Sequence, residues 1–398
     1  MGGFAGDNPG ASGNNNGRVT QNQLGGLLGV FGSGMYLSYT VAGTYIFTVP
    51  LGVTSIRVRV GGAAGSGAVA IGSSMAAALG GAGGGWAINV FSVTPNTSYT
   101  VTIGAGGASV FLTATGAING NAGGTSSFGN LISATGGVGG VVSTSAGAHS
   151  AAIPGVGSGG SANYSGGYGG AVNNTGAVSS LYATGGGAGG SQNGNGGNGG
   201  SITGSANGYY ATAGGAVGQS HAASINFGSA TNFNNYSGGG AGVGGSPATT
   251  SGGVTPAALA GGPDIFGNIV YGAISTTTQP AVNGSAINLT IPSRFLGDQL
   301  FGAGGAGIVN SSVNPIVGGN GGPGAGGGAV ENNNSAGYGG NGGVFGGGGA
   351  ILDISTGAYN YAGNGGLCAG GAGLAGNPSS ASHDYSGKGG DGYCVVEW

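Results

Sequence analysis

The sequence predicts a mostly β and irregular fold with essentially no α-helix. A small antiparallel β-sandwich is expected as a base, followed by a bundle of packed polyproline II-type glycine helices with projecting loops. Three observations predict this fold: glycine recurs at every third residue in short runs, residues 36–115 alternate with a period of two, and charged side chains are scarce. The 398 residues include 108 glycines and only 12 prolines, with five Lys or Arg and eight Asp or Glu. Because 39% of the residues are hydrophobic, a folded chain is expected and not a disordered one.

The clearest glycine run is GYGGNGGVFGGGG at 337–349, with glycine at positions 337, 340, 343, 346 and 349. A period of three fits neither an α-helix nor a strand, but it is the repeat of the polyproline II helix. Collagen shares this period but needs an unbroken glycine frame and abundant proline, which this chain lacks. A polyproline II helix makes no internal hydrogen bonds, so several must pack side by side with glycine on their inward edges. We therefore expect this run to be scaffold that touches no partner.

Residues 35–115 are expected to form the β-sandwich base. Alternation predicts strands at 44–49, 55–60, 86–93 and 98–103, with a weaker one at 110–113. In the second strand Ile56, Val58 and Val60 share one face, and Arg57 and Arg59 share the other. Residues 393–398 return to strand character and are expected to pair with the sandwich. The intervening residues 116–392 would then form one long insertion between strands of the base.

Residues 1–34 precede the sandwich and are polar and Asn-rich, with a small apolar patch at Leu24, Leu27, Leu28, Val30 and Phe31. This composition fits a docking arm or a disordered terminus. Neither a signal peptide nor a run of about 18 apolar residues is legible, so we expect no membrane insertion.

Less glycine-rich inserts interrupt the predicted bundle at 208–213, 225–236, 265–301 and 351–361. Inserts between short stacked elements are expected to project as loops, where binding residues usually lie. Within the longest insert, AINLTIP at 286–292 alternates as a strand.

Catalytic groups are few and scattered. The histidines His149, His221 and His383 lack metal-ligand spacing, and the carboxylates are dispersed along the chain. No nucleophile-elbow motif occurs. The sequence therefore predicts a protein that is not an enzyme and binds no metal or other cofactor.

Two further motifs are weak. The GxGxxG at 194–199 follows no predicted strand and opens no helix, so dinucleotide binding is rejected. Five basic residues are too few to cover a nucleic-acid backbone. Cys368 and Cys394 are the only thiols, and a single disulfide between them is left open.

Aromatic and amide side chains on the glycine-rich segments are the remaining distinctive feature. Tyr offers rigid contact area and Asn offers adaptable hydrogen bonds, which suits recognition of an uncharged partner. Covering the glycine bundle is the alternative role for the same aromatics. Tyr338 and Phe345 belong to this set but lie in the 337–349 run. The candidate contact residues are Tyr209, Tyr210, Phe227, Phe233, Tyr236, Asn332, Asn334, Tyr359 and Tyr361.

Four segments together resemble the glycine-rich domain of bacteriophage tail-fibre proteins: GTYIFTVPLGVTSIRVRVGGAAG at 43–65, SYTVTIGAGGAS at 98–109, GNAGGTSSFGNLISATGG at 120–137 and GKGGDGYCVVEW at 387–398. The glycine-rich body is also similar to that of the receptor-binding adhesins at the tail-fibre tips of T-even-type phages. In those adhesins, polyproline II-type glycine helices pack as a sandwich and variable loops at its end bind the host surface.

The resemblance implies a non-enzymatic virion protein that is assembled in the bacterial host cytoplasm and binds a host receptor. The expected receptor is a cell-surface glycan or an outer-membrane protein, recognised by the candidate contact residues. Other fibre or tail proteins are further expected partners, with residues 1–34 docking to the virion and a homotrimer as one assembly state. A purely structural appendage or filament subunit without receptor binding is the alternative.

Overall fold

The computed structural model describes residues 35–72, 75–144, 147–174, 180–204, 208–218, 221–222, 224–227, 234–238, 240–243, 250–251, 257–258, 262, 304–309, 315–332, 336–353, 359–377 and 383–398. Within these ranges the regular secondary structure consists of β-strands, and no helix occurs. The prediction of a mostly β fold without α-helix is therefore confirmed. No helix that could span a membrane is found in the same residues.

The strands are short and run through the whole described chain. The first half contains β1 Tyr36–Tyr39, β2 Gly43–Thr48, β3 Ser55–Gly61, β4 Val69–Ile71, β5 Met75–Ala78, β6 Trp86–Ser92, β7 Ser98–Ile103, β8 Phe111–Leu112, β9 Gly116–Ile118, β10 Ser126–Phe128, β11 Ile132–Ala134, β12 Val142–Ser143, β13 Gly147–His149, β14 Gly157–Ser158, β15 Ala162–Tyr164 and β16 Val172–Asn174. The second half contains β17 Ser180–Ala183, β18 Ile202–Gly204, β19 Gly208–Ala211, β20 Ile225–Phe227, β21 Asn234–Ser237, β22 Thr250–Ser251, β23 Ala257–Ala258, β24 Ile308–Val309, β25 Ile316–Val317, β26 Val330–Asn332, β27 Gly337–Tyr338, β28 Ile351–Asp353, β29 Tyr359–Tyr361, β30 Leu374–Gly376, β31 His383–Tyr385 and β32 Tyr393–Glu397.

Two antiparallel sheets form the base: sheet I has the order β1-β32-β3-β6-β15 and sheet II the order β14-β11-β10-β7-β2. Alternation in β3 places Ile56 and Val58 in one apolar cluster with Phe47 and Phe128 of sheet II. The C-terminal strand β32 lies between β1 and β3 and so returns the chain to the base.

The boundary of the base differs from the predicted 35–115. Strands β10, β11, β14 and β15, which lie between residues 126 and 164, complete sheets I and II. Conversely, the weak strand predicted at 110–113, inside the predicted range, is not part of the base. It forms β8, which pairs with β31 in a separate sheet that contains none of the strands of sheets I and II. Alternation predicts that a segment is a strand, but the partner depends on long-range packing that a local pattern does not contain.

In the glycine bundle, the runs are neither helix nor strand, and their backbone hydrogen bonds repeat every three residues. Successive amides of residues 62–68 donate in turn to three neighbouring runs. The acceptor carbonyls, in donor order, are those of Gly85, Gly124, Gly390, Ala82, Asn121, Gly387 and Leu79. Three residues per turn is the period of the polyproline II helix. At Gly62 a Cβ would lie 2.1 Å from the carbonyl oxygen of Thr135, so only glycine fits between these backbones.

The 337–349 run folds into two legs instead of one continuous helix. After β27, residues 339–343 form one leg, a turn follows at Val344 and Phe345, and residues 346–350 form the return leg. Phe345 is fully buried and adopts a φ of 64°, an uncommon conformation for a bulky residue. The glycines of both legs pack against backbone, and a Cβ on Gly340 would lie 2.0 Å from the oxygen of Gly319.

Four further sheets form layers beyond the bundle. Sheet III has the order β12-β5-β17-β19-β21-β23, sheet IV β13-β16-β18-β20-β22, sheet V β24-β26-β28-β30-β4-β9 and sheet VI β25-β27-β29-β31-β8. Sheets III and V share the largest apolar cluster, which includes Leu181 and Leu352. Tyr182 of sheet III packs with Ile202 of sheet IV, and sheet VI covers the other side of sheet V. The layers therefore follow the order IV, III, V, VI.

The inserts predicted to project as loops contribute strands to these layers. The range 208–213 contains β19, the range 225–236 contains β20 and part of β21, and the range 351–361 contains β28 and β29. Residues such as Ile351 and Leu352 are buried, and burial between sheets requires the backbone pairing that strands supply. The arm 1–34 and the insert 265–301, with its predicted strand at 286–292, lie outside the described residues.

Candidate functional site

The outer face of sheet VI carries a ladder of aromatic rings. Four adjacent strands place one ring each in the same register: Tyr338 on β27, Tyr361 on β29, Tyr385 on β31 and Phe111 on β8. Successive ring centroids are 5.5, 4.8 and 5.2 Å apart, with interplanar angles of 10°, 9° and 24°. Because neighbouring strands lie about 4.8 Å apart, the ladder spans on the order of 15 Å.

A second, shorter row lies beside this aromatic ladder. Tyr359 and His383, each two residues before a ladder residue, stack with a centroid separation of 4.7 Å and an interplanar angle of 21°. Tyr359 and Phe111 are each 53% exposed, and Tyr338 and Tyr361 are each 38% exposed. The rings therefore form one contiguous accessible surface.

Polar residues beneath the aromatic ladder hold its strands in register. Asn360 lies between the two exposed tyrosines of β29 and points inward, where it is fully buried. Its Nδ2 donates to Oδ1 of the buried Asp384 at 3.0 Å, and its Oδ1 accepts from the backbone N of Gly337 at 2.9 Å. These bonds link β27, β29 and β31 from the inner side, so the aromatic residues on the same strands face outward.

The stacking decides which parts of the rings a partner can reach. Each ring in the middle of the ladder covers the faces of its neighbours, so its edge and hydroxyl group face solvent. Partial desolvation raises the pKa of Tyr361, and the nearby phenols of Tyr385, Tyr338 and Tyr359 raise it further. Tyr361 therefore stays neutral at physiological pH. A neutral phenol both donates and accepts hydrogen bonds.

An internal repeat generates the ladder. The segments VGGNGG at 317–322, YGGNGG at 338–343, YAGNGG at 361–366 and YSGKGG at 385–390 align without gaps. Their first residues pair directly across β25, β27, β29 and β31. The repeat therefore places successive tyrosines side by side on one face.

Residues at the fourth position of the same repeat form a second row of contacts, made by hydrogen bonds from side chain to backbone. Oδ1 of Asn320 accepts from the backbone N of Asn341 at 2.7 Å, and Oδ1 of Asn341 accepts from the N of Asn364 at 2.9 Å. Oδ1 of Asn364 in turn accepts from the N of Lys388 at 2.8 Å. Each of these Asn side chains therefore accepts a hydrogen bond from a backbone N–H group of the next repeat.

The candidate contact residues fall into different environments. Tyr359 and Tyr361 lie together on the aromatic face. Tyr210 is fully buried between sheets III and IV, where it stacks on Tyr182 with centroids 5.7 Å apart. It is a core residue and cannot contact a partner in this fold. Tyr209 is half-buried and packs on the apolar cluster between sheets III and V.

For the other five candidates, the structure gives at most the position of the backbone. Phe227, Tyr236 and Asn332 have backbone positions in β20, β21 and β26, while Phe233 and Asn334 lie outside the described residues. Sequence reasoning missed Tyr385, Phe111 and His383 as members of the aromatic face. The alignment of the repeats would have found Tyr385, but no local signal connects Phe111 to them because β8 comes from a distant part of the chain.

Other chemistry does not converge in the described residues. No cluster of three or more His, Cys, Asp or Glu side chains in them is arranged to hold a metal ion. Cys368 and Cys394 are buried free thiols in different apolar clusters, so the disulfide that the sequence left open does not form.

A comparison with protein families finds a match to a family model described as a glycine-rich domain, over residues 40–263. The match covers more than half of the chain. The matched range includes most of the base. It ends before β24, so the strands β24 to β31 of sheets V and VI lie outside it. A comparison with curated proteins finds no match.

Proposed function

The chain belongs to the glycine-rich domain family, and from that premise we propose that it is a tail-fibre or adhesin-type virion protein. In this proposal it binds a receptor on the surface of a bacterial host and catalyses no reaction. The observation that carries the proposal is the aromatic ladder on sheet VI, formed by Tyr338, Tyr361, Tyr385 and Phe111.

An exposed surface of this kind favours a binding role. Contiguous exposed apolar patches on soluble proteins usually mark interaction sites, and aromatic residues are enriched in the parts of interfaces that contribute most to affinity. Here the ring edges and hydroxyls provide both apolar contact and hydrogen bonding without charge. A cell-surface glycan and a loop of an outer-membrane protein are the two receptor classes that suit this chemistry.

The architecture supports the same proposal. The backbone N of Trp398 donates to the carbonyl of Met35 at 3.1 Å. Residue 35, which follows the arm 1–34, is therefore at the base, while the aromatic ladder lies on sheets that are reached through the glycine bundle. We propose that residues 1–34 dock to other fibre or tail proteins, with a homotrimer as one assembly state. Assembly in the reducing host cytoplasm agrees with two free thiols.

The proposal is tested by cell binding. Purified fluorescent protein is incubated with a panel of bacterial strains, and with mutants of a binding strain that lack surface glycans or single outer-membrane proteins. The double variant Tyr361→Ala/Tyr385→Ala removes the centre of the ladder and is expected to weaken binding at least about tenfold, as for central interface residues. The receptor class follows from the mutant strain that loses binding.

The matched control is Tyr168→Ala. Tyr168 is a similarly exposed tyrosine (47%) that is absent from the ladder, so its removal should leave binding unchanged. Equal binding by the double variant and the wild type would overturn the assignment to sheet VI. Polymerisation of the protein without any cell binding would instead favour the purely structural appendage.

A further inference from the structure

Asn-Gly pairs recur along the glycine runs, and seven of them lie in the described residues. Such a pair is chemically labile because the backbone N of the glycine can attack Cγ of the Asn side chain, and glycine has no Cβ to hinder this approach. In six of the seven pairs, Oδ1 of the asparagine accepts a hydrogen bond from a backbone N–H group of a neighbouring segment. Of the described pairs, only Asn193–Gly194 lacks such a bond. The six held asparagines are Asn119, Asn195, Asn198, Asn320, Asn341 and Asn364.

Five of the six held pairs are bound at two points by one residue of the neighbouring run. At one of them, the backbone N of Asn364 donates to Oδ1 of Asn341 at 2.9 Å, and the N of Gly342 donates to the carbonyl oxygen of the same Asn364 at 2.9 Å. At Asn119 the two bonds go to different residues. Ring closure requires the two reacting atoms to approach to about 3–3.5 Å. A held pair must therefore give up both bonds to its neighbours before it can react.

The pair Asn193–Gly194 lies in a surface turn that is closed by local bonds. The backbone N of Gly194 donates to the carbonyl of Ser191 at 3.0 Å, and the N of Ser191 donates to the carbonyl of Gly194 at 3.1 Å. The Asn193 side chain is exposed and makes no hydrogen bond in the described structure, while its backbone N donates to Oγ of Ser191 at 3.2 Å. A Cβ placed on Gly194 would meet no atom within 4 Å. Only the local bond from Gly194 to Ser191 must therefore break before the reacting atoms can approach.

We propose that Asn193 is the site at which the described chain deamidates first. The N of Gly194 forms a bond to Cγ of Asn193 and closes a five-membered succinimide ring. The bond from Cγ to Nδ2 breaks, and Nδ2 leaves as ammonia with the proton that Gly194 gives up. Water then opens the ring at either carbonyl and leaves aspartate or isoaspartate. Each event lowers the formal net charge of -3 by one, and isoaspartate also lengthens the main chain of the turn by one carbon.

The test measures deamidation at each pair in the full-length folded protein. The protein is kept in mildly alkaline buffer and digested with chymotrypsin, and its peptides are followed by mass spectrometry with fragmentation that distinguishes isoaspartate from aspartate. Asn193 is expected to react at least about tenfold faster than each of the six held asparagines, because those must also release the bond to Oδ1 and leave its donor unpaired. In protein unfolded in urea, the seven sites should instead react at similar rates. The pairs at Asn16, Asn207 and Asn283 lie outside the described residues and are mapped separately.

Two variants separate the effect of the held side chain from that of the local sequence. Val142→Pro removes the N–H group that donates to Oδ1 of Asn119 at 2.9 Å. Val142 is the first residue of the edge strand β12, a position at which proline is tolerated. Deamidation at Asn119 should rise about tenfold or more, while the rate at Asn193 stays unchanged. Asn193→Gln is the matched control, and it should abolish the reaction at this turn because a Gln side chain would have to close a larger ring.

The proposal is overturned if Asn193 reacts no faster than the six held asparagines in the folded protein, or if it remains the fastest site by the same margin in urea. It is also overturned if Val142→Pro keeps the circular dichroism spectrum of the wild type and leaves the rate at Asn119 unchanged. The comparison within the wild-type protein needs no variant, so it decides the proposal on its own. Neither the aromatic ladder nor cell binding enters these measurements, so this proposal and the proposed function fail separately.

Discussion

Neutralising Glu397 is expected to destabilise the base more than any other removal of a single charge in sheet I. Glu397 lies on β32, is fully buried, and is directly opposite Arg57 of β3. Its Oε1 is 2.9 Å from Nη2 of Arg59, and its Oε2 accepts from Nε of Arg57. Three charges therefore hold the C-terminal strand beside β3, in a chain that has five Lys or Arg in total.

The magnitude follows from the burial of the two arginines. Glu397→Gln keeps the side-chain volume but removes the charge that balances Arg59, whose side chain is only 7% exposed. Removing one partner of a buried ion pair costs about 3–5 kcal/mol. Because Arg57 is 24% exposed and keeps part of its hydration, we expect the lower end of this range, about 3 kcal/mol.

Urea unfolding followed by tryptophan fluorescence measures this loss. Both tryptophans report on the base, since Trp86 lies in β6 and Trp398 packs on Phe47 with centroids 5.6 Å apart. With a slope of about 1–3 kcal/mol per molar urea, the midpoint should fall by about 1 M or more. Arg57→Met is the matched control and should cost only about 1 kcal/mol because Arg57 is partly hydrated. A Glu397→Gln variant within about 0.5 kcal/mol of wild type, or an Arg57→Met variant that loses as much, would refute the reasoning.

Two further predictions concern the bundle and the inner sheets. Gly340→Ala places a Cβ 2.0 Å from the carbonyl oxygen of Gly319 and should cost at least about 3 kcal/mol of unfolding free energy. Gly116→Ala, whose nearest atom is the Leu112 side chain at 3.2 Å, should cost less than about 1 kcal/mol, and equal losses in urea would contradict the packing argument. Glu331 is fully buried on β26, and burial raises its pKa from 4.5 to about 8. Because the unfolded chain loses this proton at lower pH, the unfolding free energy should fall as pH rises from about 4.5 to 8, by on the order of 4 kcal/mol, and then stay level. Glu331→Gln should remove this slope in unfolding measured at pH 5 and pH 8, and an unchanged slope would show that another group is responsible.

The local strands of the base could be predicted from the sequence, but their partners could not. The predicted strands 55–60 and 98–103 correspond to β3 and β7 almost residue for residue, because alternation reports directly on a strand with one buried face. Phe111 and Leu112 have a strand pattern too, yet they pair with β31, more than 270 residues away. That pairing depends on where the glycine bundle places both ends, which no short window of sequence contains.

The sequence predicted the type of residue at the candidate site, but it did not predict which of these residues lie in an inner sheet and which in an outer one. Tyr210 and Tyr361 both lie in short parallel strands and both stack on a tyrosine of a neighbouring strand. Tyr210 is buried because its strand belongs to sheet III, which has layers on both sides. Tyr361 is exposed because its strand belongs to sheet VI, an outer layer of the described structure. A period-two pattern is the same in both cases, so only the three-dimensional layer order distinguishes a core tyrosine from a surface one.

The repeat that contains 338–343 assigns scaffold and surface roles to different residues of one segment. Its glycines pack against backbone in the bundle, as at Gly340, and its Asn341 completes a neighbouring backbone hydrogen bond. Its first residue, Tyr338, lies on the outer face and contributes little to these contacts. The first position can therefore change without disturbing the glycine legs, as Val317 in the equivalent position of the preceding repeat already demonstrates. A scaffold bonded through its backbone thus leaves the chemistry of its outer face free to vary, which is the property that a receptor-binding surface requires.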